Sequence, residues 1–546
     1  MLHCPLFLFY AYLRIAGYQS INFIPSRWII FNYIKSLFSR QKKTKKQPLV
    51  EQETLNVKQE RRIKAVEAQS KSKRPVANFS EQPERSAKKS KKNSDLPSHL
   101  LHKKFTVNAG HYDITPKAFP KNALAIVEKL QRAGFEAYVV GGCIRDLLLG
   151  HKPKDFDVAT NAKPEEIQKI FGRQCRLIGR RFRLAHIVFG RDIYEVATFR
   201  ADHASHSSDK ISKVSEEGML LRDNVYGTLR EDAQRRDFSV NSLYYDPKHN
   251  LIFDFFDGIA DLKAGKLRLI GDPVVRYQED PVRMLRAVRF MAKLDMFLDK
   301  PSDTPIRELA HLLKNIPAAR LFDESLKLFQ SGQGFKTYQL MRQYGLFEQL
   351  FPVLTPFFTE RNDSNAERML SKALNSTDER IRDNLRVNPA FLFAALLWYP
   401  LREKMELLKN EGGLNSHDAM MLAANDVLAE SCKAIALHRR HTSVIRDIWA
   451  LQFQMAKRSG KRPQQTLEHV KFRAGFDLLV MRAEIEGGDL VELSAWWHEY
   501  QFSNDTQRME MLKAVRNLPN FAGEEKKKRR RKTFRKRKPV KKVSAE

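Results

Sequence analysis

The sequence predicts an α+β protein: a small mixed-sheet head, then an all-helical neck and body, with disordered basic ends. Three observations predict it. Short β-like runs recur between residues 137 and 256, helix-period apolar patterns take over beyond them, and lysine- and arginine-rich runs flank both. At 546 residues the chain exceeds a single ordinary core, so two or three packed units are expected. A formal net charge of +32 repels itself unless the partner is a polyanion, with nucleic acid first and an anionic membrane surface second. Cys4, Cys143, Cys175 and Cys432 lie far apart without a CxxC spacing, which signals neither a disulfide framework nor a zinc site and fits a reducing compartment.

Residues 1–104 read as an apolar and basic extension followed by a flexible linker. The runs "CPLFLFYAYL" and "WIIFNYIKSLFSRQKK" both fall short of the ~20 apolar residues that span a bilayer. No basic region precedes the first, which argues against a cleaved secretory signal. Trp28, Ile29, Phe31 and Tyr33 with flanking cations suit a weak interfacial anchor. A start codon assigned too far upstream explains the segment equally well. From about residue 41 to 104, Lys, Gln, Ser and Glu leave too little to bury against the entropy of ordering.

Residues 105–260 form the expected head. "NALAIVEKLQRAGFEAYVVGG" predicts a helix ending near Gly134 and a strand over Ala137–Val140. "VVGGCIRDLLLG" continues as strand, glycine turn and helix, with Gly150 just past the helix end. Gly141 and Gly142 let backbone approach a ligand closely, and N–H groups opening the helix favour phosphate oxygens. No GxxxxGK[ST] occurs there, and alone such a turn signals geometry only. Asp155 and Asp157 in "DFDVAT" change its meaning, because residues two apart in a strand share a face while Phe156 and Val158 enter the core. Like charges so close disfavour one another, and a bound dication would stabilise them. Glu195 in "YEVATFR" and Asp237 in "QRRDFSVNSLYYD" are further candidates that the residues alone do not rank. Arg236 beside Asp237 could grip a phosphate or form an ordinary salt bridge.

Residues 261–350 are expected as a helical neck and 351–520 as a helical body. "YQEDPVRMLRAVRF" places Arg283, Arg286 and Arg289 on one stripe after Glu279 and Asp280, with Met284, Leu285, Val288 and Phe290 facing a core. Arg and Asp carry planar donor and acceptor arrays able to bond a base edge or a triphosphate. "RELAHLLKNI", "LFDESLKLFQ", "FKTYQLMRQYGLFEQLF" and "PAFLFAALLWYPLREKMELL" read as helices, and residues 521–546 as a polybasic disordered tail.

Together "GGCIRD…KDFDVAT", "RRDFSVNSLYYD" and "EDPVRMLRAVRF" resemble the class II nucleotidyltransferases of the polymerase-β superfamily, the CCA-adding tRNA nucleotidyltransferases and bacterial poly(A) polymerases. "GRRFRLAHIVFG", "GMLLRDNVYGTLREDAQRRDF", "RVNPAFLFAALLWYPL", "KRPQQTLEHVKFRAGFDLL" and the basic tail resemble the bacterial poly(A) polymerase I branch, from about residue 105 to the end. The resemblance implies that Asp155 and Asp157 bind two catalytic Mg²⁺ ions and that Asp237 is the third active-site acid. It implies nucleotide contacts at Gly141, Gly142, Arg145, Arg236, Arg283 and Arg286, and a protein template made of Asp280 with Arg283. Arg320 and Glu324 match the neck-helix motif, and Cys143 stands where many of these polymerases have a third glycine.

The implied reaction is template-independent addition of AMP from ATP to a 3′-hydroxyl of RNA, with release of pyrophosphate. The resemblance also implies single-stranded RNA 3′ ends and RNA-decay proteins as partners. It further implies a monomer and a cytoplasmic location, peripheral on the inner membrane if the first forty residues anchor there. CCA addition is the nearest rival, since the head chemistry is shared. A non-catalytic RNA-binding scaffold is the rival from another class, although such a protein has no need to keep Asp155, Asp157, Asp237 and the arginine helix together.

Overall fold

Alternation along the strand Ala137–Val140 sets the layers of the head. Ala137 and Val139 enter one core while Tyr138 and Val140 enter another on the opposite face. The computed structural model describes residues 102–179, 183–201, 213–214, 220–222, 225–359 and 363–516, all within the unit Lys92–Glu546. The expected N-terminal extension and linker, apart from residues 102–104, and the polybasic tail lie outside the described residues.

The central sheet has eight strands: β1 (Thr106–Asn108), β2 (Ala137–Val140), β3 (Asp157–Thr160), β4 (Cys175–Ile178), β5 (Leu184–Phe189), β6 (Asp192–Thr198), β9 (Leu243–Asp246) and β10 (Leu251–Asp254). Between β6 and β9 the short strands β7 (Lys213–Val214) and β8 (Leu220–Arg222) pair with each other. The order β1-β10-β9-β2-β3-β6-β5-β4 is antiparallel except between β3 and β6, so the sheet is mixed as predicted. Asp157 opens β3 and Asp155 precedes it, so the expected strand starts two residues late.

Helix α1 (Lys121–Arg132) packs Ile126, Val127 and Leu130 beneath β2 and ends before Gly134, whose φ of +88° turns the chain into the strand. The glycine turn leads into α2 (Gly142–Leu148), and Gly150, at φ +70°, sits just past its end as expected. After α3 (Pro164–Phe171), α4 (Leu229–Gln234) places Leu229 and Ala233 in the second core, against Tyr138, Val140 and Tyr244.

Beyond the sheet come α5 (Gly258–Lys263), α6 (Pro273–Glu279) and α7 (Val282–Leu294). In α7, Met284, Leu285, Val288 and Phe290 are buried while Arg283, Arg286 and Arg289 are only partly covered, the stripe its spacing predicts. Two short helices, α8 (Lys300–Asp303) and α9 (Pro305–Leu309), lead to the neck helix α10 (Ala318–Phe329), and helices continue to Arg516. "RELAHLLKNI" is α-helical only to Leu309 and 3₁₀-helical over Ala310–Asn315. "PAFLFAALLWYPLREKMELL" forms two helices, Pro389–Leu396 and Trp398–Asn410, because Pro400 has no N–H to donate to the carbonyl of Leu396. None of the described helices is long and apolar enough to cross a membrane.

The start of α5 braces the segment that follows Asp237. Asp254 accepts from the N–H groups of Gly258 (2.8 Å) and Ile259 (3.0 Å), drawing α5 against the turn Ser239–Asn241. A Cβ on Gly258 would lie 2.3 Å from the Ser239 carbonyl oxygen, a backbone atom with no freedom to step aside. Gly258→Ala should therefore cost ~1–3 kcal/mol of stability through overpacking. Chemical denaturation measures it, and an unchanged unfolding midpoint would contradict this packing.

Candidate active site

The glycine turn sits at the end of β2, where Gly141 has φ +85° and donates its N–H to the Leu243 carbonyl at 3.0 Å. That left-handed backbone is strained for any residue with a Cβ. A Cβ there would also come 3.4 Å from Nη1 of Arg236, so this guanidinium faces the turn. One on Gly142 would meet Arg145 Nη2 at 3.3 Å. Cys143 is buried and its thiol donates to the Val140 carbonyl.

The register of β3 with β6 aligns Val158 with Val196, so Asp157 and Glu195 are neighbours on adjacent parallel strands. Asp157 keeps an exposed edge, yet burial pushes its carboxyl up to about 6, with Glu195 and Asp155 adding repulsion and Arg236 opposing them. No salt bridge among the described residues reaches Asp155 or Asp157. His186, opposite Glu195 on β5, brings Nε2 to 3.5 Å of its carboxylate. Crowded hard-oxygen donors fit Mg²⁺, which keeps several waters and takes few protein carboxylates. Among the described residues no three His, Cys, Asp or Glu side chains are drawn together as a ready metal cluster.

Asp237 has a set of partners of its own. Its Oδ2 accepts from Arg286 Nε (2.7 Å) and Nη2 (2.5 Å), and its Oδ1 from the Phe238 N–H (2.8 Å) and Asn241 Nδ2 (3.1 Å). Burial pushes this carboxyl up, but Arg286 and the two Oδ1 donors outweigh it and hold it at about 2. Asn241 also accepts from Arg145 Nη1 at 2.5 Å, and Arg145 is tied to Asp146 by Nε (2.8 Å) and Nη2 (2.5 Å). Arg145 is thus buried beneath the turn, its guanidinium 5.2 Å from the Phe290 ring, with those of Arg286 at 5.4 Å and Arg289 at 4.8 Å.

Arg236 donates Nε to the Tyr244 hydroxyl (2.8 Å) and Nη2 to Asp232 (3.3 Å). At the junction of α6 and α7, Asp280 accepts from Arg320 Nη2 of α10 (2.7 Å), while Arg283 Nη1 donates to Glu279 (2.9 Å) and to the Arg276 carbonyl (2.6 Å). Asp280 and Arg283 therefore lie side by side with separate partners. Glu324 pairs with Lys327 (2.8 Å) and lies in the field of Arg286 and Arg289.

The sequence reading did not single out Asp146, Asp232, Asn241, Tyr244 or Arg276. Spacing held a partial signal, since Asp232 with Arg236 and Asp237 with Asn241 are each four apart. Arg276 gave none: it grips the carbonyls of Arg235 (2.6 Å) and Arg236 (2.9 Å), about forty residues away.

Residues 137–268 match a family model described as the poly A polymerase head domain, 295–358 a probable RNA- and SrmB-binding site of polymerase A, and 412–537 a polymerase A arginine-rich C-terminus. The chain is 70% identical over 415 residues to poly(A) polymerase I of Haemophilus influenzae, spanning 76% of this chain and 92% of that one. It is 53% identical over 408 residues to poly(A) polymerase I of Salmonella typhimurium, spanning 74% and 88%. A CCA-adding enzyme of Lactobacillus helveticus is 34% identical over 238 residues, 44% of this chain and 57% of that enzyme.

The depressed Asp237 carboxyl has a stability consequence. Its folded value near 2 lies below the ordinary 3.8, so its contribution is present above about 4 and is lost as pH falls toward 2. A shift of that size corresponds to about 2 kcal/mol. The unfolding free energies of the wild type and Asp237→Asn should differ most above pH 4 and converge below it. A difference independent of pH would contradict the ion pair.

Proposed function

The chain belongs to the poly(A) polymerase family, and from that premise we propose how its residues divide the work of adding adenylate to RNA. The enzyme is a template-independent polynucleotide adenylyltransferase, in which a 3′-hydroxyl attacks the α-phosphorus of ATP in line and pyrophosphate leaves. The crowding of Asp157 by Asp155 and Glu195, beside a glycine turn faced by Arg236, carries the assignment of the reacting centre.

Asp155 and Asp157, with Glu195 as an additional carboxylate, are the residues that would hold two Mg²⁺ ions. When bound, the ions supply Lewis-acid activation of the hydroxyl and neutralise charge on the leaving pyrophosphate. Arg236 and the Gly142 N–H, at the turn that Gly141 shapes, receive the triphosphate. Asp237 acts through Arg286, fixing the position of its guanidinium, while Arg145 supports the turn from below. Asp280 and Arg283 form the template: a carboxylate can accept from the adenine 6-amino group while a guanidinium donates to N1 of the same edge. Guanine and uracil present the reversed pattern, an acceptor beside a ring N–H, whereas cytosine shares the amino-donor and ring-acceptor pair and must be told apart by its smaller ring.

In this division residues 105–260 carry the nucleotide chemistry, 261–350 read the base and lead RNA past the neck, and 351–520 hold RNA, with 1–104 and 521–546 as basic extensions. Arg439 and Arg440 are exposed and have no acidic partner among the described residues, while His438 and His441 pack on Phe322 of α10. Placed beside the neck, they suit the phosphates of single-stranded RNA. The proposal extends to a monomeric cytoplasmic enzyme whose tails promote RNA decay in company with decay proteins, and whose Trp28 segment touches the inner membrane weakly. CCA addition is the second reading, and it is less favoured because the CCA-adding relative spans 44% of the chain against 76% for the poly(A) polymerase.

Offered Mg²⁺ and one nucleoside triphosphate at a time, the purified protein should extend a short single-stranded RNA into a long ladder with ATP and hardly at all with CTP, GTP or UTP. Asp155→Asn should abolish extension while RNA binding persists, and surviving incorporation would refute the metal assignment. Replacing Arg439 and Arg440 together by alanine should weaken RNA binding and flatten the plot of log affinity against log salt by about 1.4, at ~0.7 per phosphate contact. An unaltered slope would remove both residues from the RNA path.

A further inference from the structure

We infer that Tyr244 and Asp232 are positioning residues for the nucleotide, locking the Arg236 guanidinium so that one of its donor edges faces the glycine turn. The inference rests on the proposed role of Arg236 toward the triphosphate. Arg236 uses Nε on the Tyr244 hydroxyl (2.8 Å) and Nη2 on Asp232 Oδ2 (3.3 Å), and the same Oδ2 accepts the Tyr244 hydroxyl proton (2.7 Å). The remaining nitrogen, Nη1, is the atom directed at Gly141. The three groups close a ring of hydrogen bonds in which each fixes the other two.

Each member is held by further contacts of its own. Tyr244 is fully buried on β9, directly opposite Val140 at the end of β2, so its hydroxyl has one place to be. Its ring lies 5.0 Å from the guanidinium carbon of Arg236. Asp232 is in α4, one helical turn before Arg236, and also accepts the Arg200 N–H at 3.2 Å. Arg276 holds the Arg236 carbonyl from the other side at 2.9 Å. Remove only the Tyr244 hydroxyl and Nε loses its acceptor. The guanidinium can then rotate to meet Asp232 with two donors, which turns Nη1 away from the turn.

The neighbouring residue supplies a matched control. Tyr245 is also fully buried and also hydrogen-bonded through its hydroxyl, to Asn250 at 2.9 Å, but it faces the opposite core and stacks on Phe119. Steady-state extension of single-stranded RNA would be measured with Tyr244→Phe, Tyr245→Phe and Arg236→Gln, together with the melting temperature of each. The expected result is a roughly tenfold rise in KM for ATP with Tyr244→Phe, the scale of one hydrogen bond to a charged group, without a change in KM for RNA. Tyr245→Phe should alter melting alone. If Tyr244→Phe keeps the wild-type KM for ATP while Arg236→Gln raises it, the positioning inference falls and the role of Arg236 stands. If Arg236→Gln leaves KM for ATP unchanged, that role falls and the inference with it. Equal shifts in KM for ATP from the two tyrosine variants would also overturn it, as a general effect of losing a buried hydroxyl.

Discussion

The ion pair between Asp237 and Arg286 is the constraint on which the rest of the site depends. One partner follows α4 in the head and the other lies in the middle of α7, forty-nine residues later. Through Asn241 the pair continues to Arg145 and so to the helix behind the glycine turn. The three segments assigned to the nucleotide in the proposed function are thereby a single polar unit. Desolvation consumes much of the Coulomb gain of such a pair, so its value to stability is modest, whereas removing one partner alone typically costs ~3–5 kcal/mol. Its stronger contribution is registry: α7 has one rotation about its axis that satisfies Asp237, and that rotation presents the whole arginine stripe.

Arginine serves the site in three distinct ways. Arg145 is fully engaged and acts as a buried support, Arg286 ties two segments while keeping part of its side chain exposed, and Arg236 is held through two of its donors with a third directed at the glycine turn. Lysine could not do this, since a single ammonium lacks the planar fork that separates a gripping edge from a presenting one. The clustering of Arg145, Arg286 and Arg289 around Phe290 adds a common aromatic floor beneath like charges that would otherwise separate.

What the sequence disclosed follows the range of each interaction. Ala137–Val140, the glycine turn and its helix could be read directly, because strand alternation, a Gly pair and a terminal Gly150 are local signals. The arginine stripe of α7 was equally plain from its spacing. Choosing between Glu195 and Asp237 beside the paired aspartates needed the β3 to β6 register, a parallel pairing that no local pattern encodes; the fold puts Glu195 next to Asp157 and gives Asp237 to Arg286. The separate partners of Asp280 and Arg283 were hidden for a related reason, since Arg320 reaches Asp280 from forty residues away. The division at Leu397 was in principle available from Pro400, but the apolar run around it masked the missing donor.

Strand β9 carries a further consequence. Its adjacent tyrosines feed opposite cores, Tyr244 toward α4 and the Arg236 ring, Tyr245 toward α1 and Phe119. The strand is hydrogen-bonded on both sides, to β2 and to β10, so it has no free edge along which to adjust. Insertion of one residue ahead of Tyr244 would bring Leu243 to the face that Tyr244 now fills and Tyr244 to the opposite one, emptying the acceptor position beside Arg236. Substitutions that preserve length are therefore the only small changes this strand can absorb, and drift in chain length is confined to the loops at the sheet's ends.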